Sequence, residues 1–593
     1  MNWLAWTVFF AFLAWVMWDG MKRTAESNTL EEYYAGGRRI PWWAAGLSVM
    51  ATQASAITVI GTTGEGHDGG LAFVQFYFGL PFAMIALCVL LVPIYRRLPI
   101  LTAYQYLETR FNPATRALGS LVFLASRCLA LGVVITAPAV VMSAMLKLPL
   151  DTTIVMVGAL TTLYTMFGGV SAVVWTDVKQ MSVILVGLFA CFAVLAVKVF
   201  GEIGVVGALK AAGAAGKLNA MDVVPPSLDF VPRAASHLPE GVADTGAKTF
   251  WEYKYTLWSG LIGGFFLQLA YFGCDQSQVQ RILTNKDANA SRRALLISAF
   301  AKVPMQFFVL AIGVLLWLFH CLHEEPLLYR PDDRARAEAS DPAVVADLQA
   351  RHDAAWAVRK EAVQEIAGFP DDLSAHPDVV RRYRAAVKDL NAVRTEAATR
   401  FGSNHKQEDQ NYVFPEWILH NLHPLLLGLI VAAIFAAAMS SVDSVLNSLS
   451  AATVVDFYKR FVRTAGTERD YVIAGRVTTM LWGAVATGTA IVMVTGSSLI
   501  EKVNRVGSFF YGSLLGVFLL GLFAPRVRGY AGFVGLAGGM ATVLVVDATL
   551  RIEYLWYNVI GAIGVFAFAL LWSFLVRVFH SRGSGDPASQ AAP

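Results

Sequence analysis

Apolar runs long enough to cross a bilayer recur from one end of this 593-residue chain to the other. A spanning helix needs about 20 mostly apolar residues. Thirteen such stretches can be drawn, near 3–20, 42–64, 71–95, 114–145, 151–169, 176–200, 254–274, 294–320, 413–444, 472–496, 504–524, 529–549 and 555–578. Composition agrees: 56% of residues are hydrophobic and 15% charged, against about 45–50% and about 25% in soluble domains. A single soluble domain, a disordered chain and a coiled coil are thereby excluded. A net charge of 47 − 43 = +4 is too small for an electrostatic grip on nucleic acid. The five cysteines form no CxxC pair and read as small buried hydrophobes. The first stretch does not read as a signal peptide, because it lacks a basic start and ends in Trp18-Asp19-Gly20 without a small-residue cleavage site.

Charge placement orients the spans. Short loops on one side carry clusters such as Lys22, Arg23, Arg38 and Arg39, then Arg96, Arg97, Arg110 and Arg116, then Arg281, Lys286, Arg292 and Arg293. Short loops on the other side carry only Lys147, Lys502, Arg505 and Arg551. The basic side is expected to be cytoplasmic, which puts the N-terminus outside and the C-terminus inside. Two long loops, 201–252 and 322–412, fall outside. The second has helix-like stretches from Asp347 to Ile366 and from Asp378 to Arg400, and reads as a helical cap without chemistry of its own. His320, His323, His352, His376, His405, His420 and His423 lie on or near this side, but their spacing matches no metal motif.

Polar groups inside spans are costly and therefore informative. The stretch 42–64 holds Ser48, Thr52, Gln53, Ser55 and Thr58 among alanines. Such a stretch either breaks at mid-membrane, freeing carbonyls for a cation, or packs closely through small residues. Ser440, Ser441 and Ser444 lie within little more than one turn, so their hydroxyls can serve an alkali ion or satisfy carbonyls one turn back. Few carboxylates accompany them, which fits a monovalent ion better than calcium. Asp177 is an ion ligand or a structural acid near a helix end. Arg127 lies mid-span and must pair with an internal acid or hold an anionic substrate. Lys302 follows the same logic, or snorkels from nearer a helix end.

Four stretches carry a family resemblance: Tyr34 to Arg38, Gly168 to Asp177, Asp275 to Arg281, and Ala432 to Tyr458. In their order and spacing the chain resembles the sodium/solute symporter family, whose members carry sugars, proline, sialic acid, monocarboxylates and vitamins. The resemblance implies an all-α membrane protein with an inverted five-helix-repeat transporter fold and broken first and sixth core helices. The repeats would be 42–200 and 254–524, with an extra helix at 1–20, the insert at 322–412, two helices in 529–578 and a short cytoplasmic tail at 579–593. The second break would lie in 254–274, where Gly260, Gly263, Gly264 and Gly273 surround Gln268 and Tyr271.

Site residues carry over by position. The main sodium site would use Ala51, Ala54, Ala437, Ser440 and Ser441. A second sodium site would use Asp177, Asp443 and Ser444, with Asp443 standing where well-known members carry a hydroxyl. Solute binding would involve Gln53, Thr58, Gln75, Tyr77, Arg127, Gln268, Tyr271, as inner gate, and Lys302. Gln75 and Tyr77 lie where the sugar symporters place a glutamate, which disfavours a sugar. The implied activity is symport of sodium, as co-transported ion, with a small organic solute, more an organic anion than a neutral one, across the plasma (inner) membrane. A sodium/sugar symporter and a proton-coupled transporter of the same fold are the alternatives. No nucleophile–base pair, metal motif or phosphate loop marks an enzyme, and no appended signalling module marks a sensor.

Overall fold

The structure is a computed structural model that describes residues 3–24, 29–146, 148–167, 169–227, 249–340, 342–369, 376–401, 406–493 and 499–583. Lys147, Gly168, His405, residues 228–248 of the first long loop and 584–593 of the tail lie outside them. Among the described residues there is no strand, only one isolated bridge between Ile40 and Asn285. Every one of the apolar stretches carries helix. Among the described residues, eight helices are long and apolar enough to cross a membrane, and Trp3–Val16, Leu150–Leu163 and Ser259–Cys274 are shorter apolar helices.

The first expected break is present. Helix Trp42–Gln53 ends at Ala54 (φ −80°, ψ 57°) and Ser55 (φ −69°, ψ 168°), and helix Ala56–Gly69 restarts after them. Thr58 Oγ1 donates to the Gln53 carbonyl at 2.9 Å, which meets one acceptor that the lost helical turn leaves open. The small residues thus make a break rather than only a packing face.

The second break falls elsewhere than expected. A π-helical turn, Ser259–Gly263, runs directly into helix Gly264–Cys274, and the interruption comes at Asp275 (φ −82°, ψ 122°). Asp275 then caps helix Gln276–Leu283 by accepting the Ser277 N–H at 2.8 Å. The glycines have a different use. A Cβ on Gly260 would lie 1.9 Å from the Gln75 carbonyl oxygen, and one on Gly264 would lie 2.8 Å from that of Phe76. They let two backbones touch.

The stretch expected at 413–444 also divides. Helix Lys406–Asn421 stops before His423, and Pro424 opens a new helix that continues to Ala452. Proline suits that first position because its missing N–H had no helical partner to lose. The long insert folds as helices Pro331–Glu338, Pro342–Gly368 and Pro377–Phe401, which contain the helix-like stretches read from sequence. Buried Glu325 holds it down, accepting from Arg359 Nη2 at 2.5 Å and Arg394 Nη1 at 3.0 Å. Burial alone would raise this carboxyl, but the two guanidinium groups outweigh it and hold Glu325 well below the usual range.

Two arginines counted as loop charges are interior. Arg116 is 8% exposed and pairs with Asp456 at 2.6 Å and Glu108 at 2.8 Å, and Arg281 is 1% exposed. Asp456 and Asp177, the acids of Arg116 and Arg281, are distant in sequence, so only the folded chain reveals these pairings.

Gly260→Ala is expected to cost about 1–3 kcal/mol through overpacking, read as a lower apparent melting temperature in detergent. Gly201→Ala, with nothing within 4 Å of its new Cβ, should leave that temperature unchanged or raise it.

Candidate ion and solute site

The four resembling stretches meet in space. Gln280 Nε2 donates to the Tyr34 carbonyl and to Asn447 Oδ1, both at 2.7 Å, and the Tyr34 and Ser450 hydroxyls are 2.8 Å apart. Below this knot, Ser48 on the first half of the broken helix donates to Asp177 Oδ2 at 2.5 Å. Arg281 Nε donates to Ser48 Oγ at 3.1 Å, and its Nη2 lies 3.7 Å from Asp177 Oδ2 while bonding Ser444 Oγ. Ser444 in turn donates to Asp443 Oδ1 at 3.3 Å and sits 3.1 Å from Thr52 Oγ1. Asp177, Asp443 and Arg281 are all at most 1% exposed. Asp177 is therefore no interfacial acid.

Two carboxylates share one guanidinium here. Asp177 Oδ1 and Asp443 Oδ2 have no hydrogen-bond partner, and the Ser440 hydroxyl lies beside Asp177 without a well-formed bond. Three buried oxygens thus remain unsatisfied, and with both carboxylates ionised the cluster carries a net −1 that a proton or a single monovalent cation would balance.

Next to this cluster the broken helix touches helix Pro424–Ala452 directly. Ser441 Oγ lies 2.9 Å from the Thr52 carbonyl and 3.1 Å from the Ala437 carbonyl one turn back. The reading in which a serine hydroxyl satisfies a carbonyl one turn back holds here, and the same hydroxyl also reaches across to the break. Ala51, Ala54 and Ala437 are fully buried around it, and Ala51 and Ala54 pack with Met50, Met181 and Met305.

A cavity of about 120 Å³ opens on the other side of the break. Gln53, Thr58, Tyr77, Arg127, Gln268 and Tyr271, all expected at the solute site, line it, as do Thr52 and Ser441, the latter expected at the ion site. Two expected residues are not brought to it. Gln75 spends its amide on the Ala72 and Tyr255 carbonyls and on the Asp222 N–H, at 3.2, 3.1 and 2.9 Å. Lys302 is 1% exposed and reaches the Gln53 carbonyl at 3.4 Å from behind the break, so it does not snorkel. Phe76, Asn504 and Tyr511 also line the cavity and were missed. Asn504 and Tyr511 sit in a helix whose sequence reads as a plain span, with no local signal to single them out.

Arg127 has found an acid. Its Nε bonds Asp275 Oδ2, and its guanidinium lies 4.8 Å from the Tyr271 ring centre and 5.4 Å from that of Tyr511. Its Nη2 has no hydrogen-bond partner. One donor of a buried guanidinium in the cavity wall is therefore left over.

The model of the sodium:solute symporter family matches residues 33–343 and 395–539. The chain belongs to the sodium:solute symporter family. It is an integral membrane transporter, as its family and its apolar helices require. The unmatched stretch 344–394 falls on the two longer helices of the insert. Among relatives, the human sodium/iodide cotransporter is 25% identical over 89% of this chain and 66% of its own length. The human sodium-coupled monocarboxylate transporter 1 is 27% identical over 87% and 68%. The sodium/sialic acid symporter NanT of Aliivibrio fischeri is 24% identical over 94% and 90%. The chain thus spans about two thirds of the length of the two human relatives. The fold is that of a sodium-coupled sialic acid symporter solved substrate-bound and outward-open, with a TM-score of 0.71 at 22% identity over 96% of this chain and 97% of that one. The fold class implied by the resemblance, an inverted-repeat transporter with broken core helices, is borne out.

Arg281→Gln should leave two buried carboxylates without their shared partner, costing about 3–5 kcal/mol. Asp443→Asn in the same chain should recover part of that loss. A double-mutant cycle on melting temperature in detergent checks this, and simple additivity would show that Arg281 and Asp443 are not coupled.

Proposed function

We propose that this protein is a secondary active symporter that couples inward sodium movement to uptake of a small organic anion across the plasma (inner) membrane. The observation that carries the reading is the pair of carboxylates on one guanidinium with three unsatisfied oxygens, set against the break that walls the cavity. In this reading Ala51, Ala54, Ala437, Ser440 and Ser441 hold the main sodium ion. Asp177, Asp443 and Ser444 hold a second monovalent cation. The repeats are 42–200 and 254–524, with the N-terminus and the insert outside.

Coupling follows from the shared wall. A cation held by Ala51 and Ala54 on one side and by Ala437, Ser440 and Ser441 on the other adds to the Ser441–Thr52 hydrogen bond in holding the broken helix against helix Pro424–Ala452, and so completes the cavity that includes Gln53 and Thr58. A ligand shifts a conformational equilibrium only by its differential affinity for the two states. Sodium meets that condition because its ligands come from two elements that must be together. One ion moving down about 100 mV releases about 2.3 kcal/mol, enough for more than a tenfold solute gradient at about 1.4 kcal/mol per decade.

The spare Nη2 of Arg127 supports an anionic solute. The names of the relatives point the same way: iodide, monocarboxylate and sialic acid are all anions. A second reading has one observation in its favour. Asp443 has an oxygen without a partner, and a proton there would balance the cluster as a sodium ion would.

Uptake into proteoliposomes across sugars, amino acids and organic acids, with and without a sodium gradient, tests the proposal. An organic acid driven by sodium is the expected result, and uptake that follows a pH gradient and ignores sodium would establish the second reading. Ser441→Ala should raise the sodium concentration for half-maximal uptake about tenfold or more, the loss of a hydrogen bond to a charged group being worth about 1.5–3 kcal/mol. An unchanged sodium dependence would remove Ser441 from the site. Arg127→Gln should weaken affinity for the anion while leaving sodium dependence in place.

A further inference from the structure

The histidines of the insert end show no metal spacing in sequence, but the fold brings one of them to a partner from far upstream. His67, at the end of the second half of the broken helix, meets His320, at the end of helix Ala288–Leu322. We propose that His67, His320 and Glu325 form a binding site for a divalent transition metal of the zinc class, separate from the transport cavity.

The ligand atoms of these three residues lie within 4.8 Å of one another, and all three residues are at most 5% exposed. His67 Nε2 and His320 Nδ1 are 3.2 Å apart. Two imidazole nitrogens bound to one tetrahedral zinc at about 2.0–2.1 Å stand about 3.3 Å apart. The pair therefore needs almost no movement to share an ion.

The surroundings prepare the His67 ring, while His320 Nδ1 also faces the Tyr329 hydroxyl at 3.3 Å, which a metal would displace. Asp68 Oδ1 lies 2.7 Å from His67 Nδ1. A carboxylate there holds the proton on Nδ1 and leaves the Nε2 lone pair pointing at His320, the arrangement found behind zinc-bound histidines. Trp356 Nε1 and Arg359 Nη2 donate to the His320 carbonyl at 2.9 and 2.8 Å, which fixes the helix end that bears the second ring. Glu325 accepts from Tyr329, Arg359 and Arg394. A carboxylate has about four acceptor positions, so one remains for a metal.

There is space for an ion, and its charge would call for an anionic ligand from solution. His67 and Glu325 border a cavity of about 230 Å³ that also touches Lys217, Arg359, Arg394, Asp68 and Asp409. Three cationic and three anionic side chains balance, so the pocket is neutral before metal enters. Its remaining donors are neutral imidazoles, which favour zinc-class ions over calcium or magnesium. The neighbouring guanidinium groups suit an anionic fourth ligand, such as hydroxide or chloride. An ion here would tie the broken helix to the end of helix Ala288–Leu322 and to the loop beneath the insert. This inference stands whatever solute or coupling ion the transport cavity takes.

The test is titration of tag-free, chelator-treated full-length protein in detergent with zinc chloride, followed by calorimetry and by thermal unfolding. One zinc per chain and a raised melting temperature are expected. His67→Ala and His320→Ala should each weaken binding at least 100-fold, whereas His323→Ala should not, because its ring instead stacks on Phe319 and pairs with Glu202. Binding that is absent, or that survives loss of His67, would overturn the proposal. Should the alanine variants not fold, X-ray absorption on the zinc-loaded wild-type protein decides. A shell with two imidazoles supports the site, and any other shell removes it.

Discussion

A buried guanidinium between two buried carboxylates organises this molecule. Arg281 ties Ser48 of the broken helix, Asp177 of helix Val170–Ala214 and Ser444 of helix Pro424–Ala452 into one hydrogen-bonded set. In low dielectric none of these charges tolerates isolation. The three helices and the segment after Asp275 must therefore arrive together. Two carboxylates share that one guanidinium, so the same network that holds the helices in place leaves oxygens open to a sodium ion or a proton.

The break at Ala54 and Ser55 is the second constraint, and it depends on the first. A helix interrupted inside an apolar protein exposes carbonyls that hydrocarbon cannot satisfy. Thr58 and Ser441 meet two of them, at Gln53 and Thr52. The same segment then lines the solute cavity, with Gln53, Ser55 and Thr58 facing it. In the proposed reading, ion and solute are not two sites linked over a distance. They occupy two faces of one short irregular segment, so holding one face still shapes the other.

Much of this was legible in the chain alone. The small and polar residues around Ala54 left a break and close packing both open, the family resemblance implied the break, and Ser441 was readable as a hydroxyl that serves an ion or its own helix. Arg127 was readable as a charge needing an acid. The second break was misplaced because glycine was taken as the signal. In the structure the glycines permit backbone contact at Gly260 and Gly264, and a capping aspartate marks the interruption. Arg281 and Arg116 were misread as loop charges for a similar reason. A basic residue near the end of an apolar run looks the same whether it faces water or a distant acid.

What the sequence determined by itself was everything local or periodic: apolar runs long enough to span, polar groups too costly to sit inside them without purpose, and motifs in a family order. Tertiary structure decided which of those groups are neighbours. Arg127 and Asp275 are 148 residues apart, Arg281 and Ser444 are 163, and His67 and His320 are 253. No spacing rule reaches across such separations. Charge pairing, the orphaned oxygens of Asp177, Asp443 and Ser440, and the convergence of two histidines exist only once packing has chosen which helices touch.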